Sequence, residues 1–550
     1  MRARSRKSER WGSGHVSLIL AMAITVSSMS ASADASGSMD VSGTAGENAT
    51  TAIHEATTHH STEFTAFLFP LIAIIAGCLI THFTSRYLRG WVPYSPAMLI
   101  FGMLLTIFDH VVPEDVLPHV HESLLRWRTI DGHLLLLVFL PPLLFADAVT
   151  LDWHVAKRSL MQCLLLAFPG VIMGCFLTAA FAIGILPQHW PLSLALSFGA
   201  VLSATDPVAV VSLLKELGAP ASLTMIIAGE SMLNDGSAIV VWRFCFGVYV
   251  GEREADIGPL LAFLARLALG GVGLGLAFGA GTLYWLALAS RRLEHSDVTV
   301  QVAITITSSY VRASLPLLKS PKESIRLVHQ LFHLPLASRL TPSQLCFYIA
   351  EMTSLDVSGV LAVVVQATFL AAFASPVIAS RSTMTHVWHT IEWLFLTLLF
   401  VLAGAIMADI LYFVQRCDGI EEADRTALCT DDLPYVLVTY AIVVLIRYAV
   451  VFTLLPALRR LGYGMSLPAA VMAGWGGLRG AVGLALALSM HARLGYNRDG
   501  KLIILHVSGV ALLTLLVNAP TSASMLRLLG LTVRAFMARV RMIPTLSCVL

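Results

Sequence analysis

Apolar runs of bilayer-spanning length recur along most of this chain. A spanning helix needs about 20 predominantly apolar residues. Such runs stand near Thr65–Phe83, Pro93–Phe108, His133–Val149, Leu160–Leu186, Leu192–Leu214, Leu223–Val250 and Ile257–Ala289. An interrupted run begins at Val298, and others lie near Ser358–Ala374, Trp388–Leu411, Pro434–Leu455, Leu467–Met490 and Leu502–Leu529. These make about thirteen spans. Only 13% of the residues are charged and 57% are hydrophobic, whereas soluble domains carry about 25% charged residues. The fold class that follows is an all-α polytopic membrane protein, with the transmembrane domain over 65–529.

Loop charges give an orientation. Arg86 and Arg89, Lys157 and Arg158, Lys215, Arg291 and Arg292, Arg381, and Arg459 and Arg460 fall on alternate loops. The intervening loops carry Glu252, Glu254 and Asp256, then Asp418, Glu421, Glu422, Asp424, Asp431 and Asp432. Positive charge stays in the cytoplasm, so the first set is cytoplasmic. An odd number of spans then leaves the mature N-terminus outside and a short tail, 530–550, inside. Residues 1–33 have the parts of a signal peptide: a basic start from Arg2 to Arg10, an apolar run Val16–Val26 and the cleavage-type sequence Ala31-Ser32-Ala33. The segment 34–64 is small and polar, expected to be disordered and extracellular, and holds the sequon Asn48-Ala49-Thr50.

Val311–Cys346 does not fit. It carries Pro316, Pro321, Pro335 and Pro342 with five basic residues, and it splits an otherwise continuous membrane segment. It reads either as a true loop or as a stretch foreign to the protein. Cys78, Cys163, Cys175 and Cys245 sit in apolar runs and read as small core residues. Cys417 and Cys429 share one polar loop and could pair only if that loop is extracellular.

The chemistry concentrates in Leu202–Val241. Its two apolar segments carry Asp206 in one, and Glu230 and Asp235 in the other. Carboxylates in hydrocarbon are kept for ion pathways, proton relays or ion pairs. Pro207 follows Asp206 and breaks its helix. The run G-W-G-G-L-R-G-A-V-G around Arg479 loosens a second helix in the other half of the chain. Two interrupted spans in corresponding halves point to inverted repeats with the binding site where the broken helices cross. The remaining membrane charges are Glu351, Arg447 and Arg479. Glu230 with Arg447 makes a sensible structural pair, and Arg479 can offset the negative helix ends left by the breaks. Glu230 and Asp235 are about 140° apart round a helix, so Asp235 can face a cavity while Glu230 faces structure.

The candidate ligands are Asp235, Asp206, Thr205 and Ser203, with Asn234 as a ligand or a brace between the broken helices. All are hard oxygens, suited to a small alkali cation. A proton or a cation could neutralise Asp235, but not both at once, and that competition is sufficient for antiport. No phosphate loop, nucleophile elbow or zinc motif appears, so neither enzyme chemistry nor a cofactor is expected, and nucleic acid is not an expected partner.

A-T-D-P-V-A-V, G-E-S-M-L-N-D-G-S-A-I-V-V, S-G-V-L-A-V-V and G-L-R-G-A-V resemble the sodium/proton exchangers of the monovalent cation–proton antiporter superfamily. F-L-P-P-L-L-F-A-D-A-V and L-L-K-E-L-G-A are most similar to the plant-type plasma-membrane salt-tolerance exchangers. The likeness runs from about Phe69 to Leu529. It implies a thirteen-helix sodium/proton antiporter fold with two crossed discontinuous helices. It also implies a homodimer whose core moves as an elevator. Asp235 would carry Na+ or a proton, and Asn234 would mark the electroneutral, one-for-one branch. Thr205 and Asp206 match the family's Thr-Asp pair, Glu230 its arginine-paired glutamate, and Glu351 a further glutamate. Leu396 stands where the family often has asparagine. The function expected is Na+/H+ exchange for pH and sodium homeostasis in the plasma membrane. K+/H+ exchange in an endosomal or vacuolar membrane, or a transport-dead scaffold or sensor, are the alternatives.

Overall fold

The computed structural model describes residues 48–86, 94–113, 115–130, 132–206, 208–253, 257–290, 301, 305, 357–412, 430–494 and 497–531. The signal segment, Pro207, the stretch 311–346, Glu351, Cys417, Cys429 and the tail beyond Leu531 lie outside the described residues.

Every regular element among the described residues is helical. In order these are α1 (Asn48–Arg86), α2 (Tyr94–Val111), α3 (Pro118–Arg128), α4 (Gly132–Val149), α5 (Trp153–Leu165), α6 (Val171–Gly184), α7 (Leu192–Ser203), α8 (Val208–Glu216) and α9 (Ala221–Val250). There follow α10 (Ile257–Ser290), α11 (Gly359–Phe373), α12 (Arg381–Tyr412), α13 (Leu433–Arg460), α14 (Leu467–Trp475), α15 (Ala481–Arg493), α16 (Arg498–Leu513) and α17 (Ala519–Leu528). Helix α1 is described from Asn48 onward. Among the described residues seven helical stretches are long and apolar enough to cross a membrane. Shorter apolar helices include α7, α11 and α15, of which α7 and α15 are halves of interrupted spans.

Two wide π turns join α5 to α6 (Leu166–Gly170) and α16 to α17 (Thr514–Asn518). Each has a proline inside it or just beyond it, Pro169 and Pro520. A proline ring clashes with the carbonyl four residues back, and a local π turn makes room for it without ending the span.

The loops sort onto two faces. On one, the Arg158 guanidinium lies 4.7 Å from the centre of the Tyr463 ring, and Gln162 Nε2 donates to the Leu458 carbonyl at 3.1 Å. The loops carrying Lys157 with Arg158 and Arg459 with Arg460 therefore meet. On the other, Asp432 accepts from Gln188 and Arg498, Trp190 Nε1 donates to Asp499, and Arg493 approaches Glu252. Basic loops thus gather at one end of the bundle, and Glu252 and Asp432 of the acidic loops at the other.

Helix α12 runs through the centre and is buried over most of its length. It is locked to α2 by mutual close approach. A Cβ on Gly102 would sit 2.1 Å from the Val401 carbonyl oxygen, and one on Gly404 2.0 Å from that of Leu99. Small residues let membrane helices approach backbone to backbone, where dispersion acts over the most atoms.

Candidate functional site

Two interrupted spans cross in the middle of the bundle. Helix α7 ends at Ser203 and α8 resumes at Val208; α14 ends at Trp475 and α15 resumes at Ala481. The unwound segments satisfy one another. The Asp206 amide donates to the Leu478 carbonyl at 2.9 Å. Arg479 Nη1 donates to the Ala204 carbonyl, just past the end of α7, at 3.1 Å. The Arg479 amide donates to Thr514 Oγ1 at 3.2 Å. A guanidinium at a helix C-terminal carbonyl opposes the negative end of the helix dipole. Gly480 is required here by space: a Cβ would fall 2.1 Å from Cβ and 2.2 Å from Oδ2 of Asp206.

Helix α9 passes beside the crossing and braces it. Asn234 Nδ2 donates to the Ser203 carbonyl at 2.7 Å and to Thr205 Oγ1 at 3.2 Å. The Ser231 hydroxyl donates to the Thr205 carbonyl. Backbone left open by a helix break must find partners inside the protein, and α9 supplies them. One turn away Glu230, 1% exposed, forms an ion pair with Arg447 of α13. Asp235 turns elsewhere. It is 7% exposed, and its Oδ1 has no hydrogen-bond partner among the described residues.

Asp235 opens onto a small cavity. Thr205 and Asp206 line it from the first break, and Gly480 and Ala481 from the second. Two further acids line it that the sequence reading did not select: Asp147 near the end of α4, and Glu392 on α12. Leu396 is also in the wall, one helical turn from Glu392 on the same face. Both acids lie inside apolar runs, so the rule that singled out Asp235 applies equally to them.

A second small cavity lies on the other side of the crossing. Ser203, Asn234, Arg447 and Arg479 line it. Ser203 belongs here and not with Asp235, because it is still helical: its hydroxyl donates back to the Gly199 carbonyl at 2.7 Å. Of the five candidate ligands, Asp235, Asp206 and Thr205 therefore share one cavity, while Ser203 and Asn234 face the other. Glu351 lies outside the described residues.

Two crossed, broken helices around a buried carboxylate define the core of a secondary transporter. The chain matches the profile described as sodium/hydrogen exchanger, transmembrane, over residues 71–317 and 324–528, and it belongs to that family. It is similar to sodium/hydrogen exchanger 7 of Arabidopsis thaliana, with 33% identity over 85% of this chain and 37% of that protein. For Arabidopsis sodium/hydrogen exchanger 8 the identity is 32%, over 84% and 55%. For the low-affinity Na(+)/H(+) antiporter NhaS1 of Synechocystis it is 29%, over 80% and 70%. The chain thus spans 37% and 55% of the lengths of the two plant relatives. The fold matches that of the sodium proton antiporter MjNhaP1 from Methanocaldococcus jannaschii with a TM-score of 0.59 at 16% identity, over 85% of this chain and 99% of that one.

Proposed function

We propose that this chain exchanges Na+ for H+ across a membrane, one for one, with Asp235 as the carrier of either ion. The observation that carries the reading is the Asp235 carboxylate itself. It is buried at the middle of α9, has an oxygen without a partner, and faces a cavity beside Thr205 and Asp206. Oxygen donors of this kind suit a dehydrated alkali ion. A carboxylate in a low-dielectric wall cannot stay charged and empty, so it is filled by a proton or by a cation, and the two compete. The Glu230–Arg447 pair and the Asn234 brace act as the frame that keeps the crossing in shape.

The family setting supports homodimeric assembly and residence in the plasma membrane, with the basic loops in the cytoplasm. The activity is transport, with Na+ and H+ as substrates and no covalent chemistry. The test is proton flux in sealed vesicles on addition of Na+ or K+. Asp235→Asn should abolish exchange while the protein still folds and reaches the membrane. Retained sodium-driven proton flux in that variant would refute the assignment, and a response to K+ alone would move the substrate to potassium. Sodium and protons should also compete: acidification should raise the apparent KM for Na+ and leave the maximal rate at saturating Na+ unchanged.

A further inference from the structure

We propose that Asp147 and Glu392 form a second position for an alkali cation in the same cavity, a staging point between the cytoplasm and Asp235. This rests on the exchange reading above and adds a substrate-holding position to it.

The cavity wall carries Asp147, Asp206, Asp235 and Glu392 and no basic side chain. Arg479 lines the opposite cavity and spends one nitrogen on the Ala204 carbonyl. Asp147 lies within electrostatic reach of Glu392, Asp206 and Asp235. Among the described residues no ion pair joins it to a cation. Four carboxylates in one low-dielectric space repel strongly, and a single positive charge at Asp235 does not neutralise Asp147 as well. Independently of the pair, Asp235, which lines that space, keeps a buried oxygen with no hydrogen-bond partner among the described residues. The acids are also spread out: no three His, Cys, Asp or Glu side chains converge on one point among the described residues. That arrangement is not a cage for a resident divalent ion. It suits monovalent cations held loosely at more than one place.

Depth orders the two positions. Asp235 is at the midpoint of the 30-residue α9. Glu392 is on the Arg381 side of the middle of α12 by about 7 Å at 1.5 Å per residue. Asp147 is two residues from the end of α4, just before the loop that leads to Lys157 and Arg158. Both acids therefore lie toward the face of the basic loops. Glu392, its side chain 8% exposed, is also tied to that face. Its Oε2 lies 3.0 Å from Nδ1 of His389, whose side chain is 57% exposed. The imidazole holds one carboxylate oxygen at the mouth and leaves the other for a cation.

The test uses the purified full chain and 22Na+ alone as the probe. Asp235→Asn should keep saturable, weaker sodium binding, and adding Asp147→Asn and Glu392→Gln to it should remove that binding. In vesicles, Asp147→Asn with Glu392→Gln should still exchange, with the apparent KM for sodium on the cytoplasmic side raised about tenfold and the maximal rate nearly unchanged. Asp147→Glu and Glu392→Asp should restore the parental KM, which a merely structural role would not. If folded Asp235→Asn binds no sodium, or the double variant keeps the parental KM, the staging position is overturned. Sodium binding in Asp235→Asn by a chain that shows no exchange would keep this position and overturn the antiport reading instead.

Discussion

The Glu230–Arg447 pair gives the sharpest stability test of the fold. Glu230 is 1% exposed and Arg447 11%, and they join α9 to α13. Replacing Glu230 by Gln removes the carboxylate's charge but leaves the guanidinium in place. Breaking a buried pair on one side costs about 3–5 kcal/mol, because the remaining charge is uncompensated. At about 2 °C per kcal/mol, the lower end for domains of a few hundred residues, the melting point should fall by about 6–10 °C. Arg447→Met should cost a similar amount, since it leaves Glu230 charged and dry. The double variant Glu230→Gln with Arg447→Met buries no charge. It should therefore melt closer to the parent than either single variant, with a coupling of about 3 kcal/mol. The assay is thermal unfolding of the detergent-purified full chain, followed by fluorescence. If the single variants melt with the parent, or if the double variant's loss is their sum, the pair does not hold α9 to α13.

Gly480→Ala should push Asp206 from its seat, at a cost of about 1–3 kcal/mol for overpacking, and depress vesicle exchange sharply. Gly281→Ala on α10, where an added Cβ meets nothing within 4 Å, should leave exchange alone. Asn234→Ala removes the donor to the Ser203 carbonyl and should destabilise by about 1–3 kcal/mol, read as a lower melting point. Arg128 bridges Asp109 and Asp409 at 2.8 Å each, tying α3 to α2 and α12. Arg128→Ala leaves Asp109 buried with only a histidine beside it and should cost about 3–5 kcal/mol. Arg126→Ala, which breaks an i,i+4 pair with the part-exposed Glu122, should cost less than Arg128→Ala, because part-exposed pairs contribute little.

The breaks in α7–α8 and α14–α15 were legible because backbone chemistry announces them: Pro207 after Asp206, and the glycine-rich run around Arg479. The opposed directions of Glu230 and Asp235 were legible from helical periodicity alone, five residues being about 140° of rotation. Ser203 lines the other cavity, because a break two residues away does not say where the helix before it stops turning. Its hydroxyl is still bound to Gly199 and points to the far side. Asp147 and Glu392 also lie inside apolar runs, but the runs alone do not say which acids meet. Only the packing of α4 and α12 against the crossing brings both to the wall that Asp235 faces. Periodicity fixes a face of one helix; which neighbour meets that face is set by long-range packing.

The two cavities explain why this arrangement favours alternating access over a pore. The wall on one side of the crossing is acidic, with Asp147, Asp206, Asp235 and Glu392. The wall on the other carries Arg447 and Arg479. The crossing itself is closed by the Asp206–Leu478 and Arg479–Ala204 hydrogen bonds and by the Asn234 brace. In the proposed exchange, a cation entering the acidic side would be drawn to Asp235, and further travel in the same direction would take it past two guanidinium groups in low dielectric. Like charges there repel far more strongly than in water. On that reading the ion would leave Asp235 on the opposite side only if the walls around that carboxylate changed while the crossing stayed intact. That would require α7, α8, α9, α14 and α15 to move as a body against the helices that flank them. The hydrogen bonds across the crossing, which a channel would have to break, would keep such a body together.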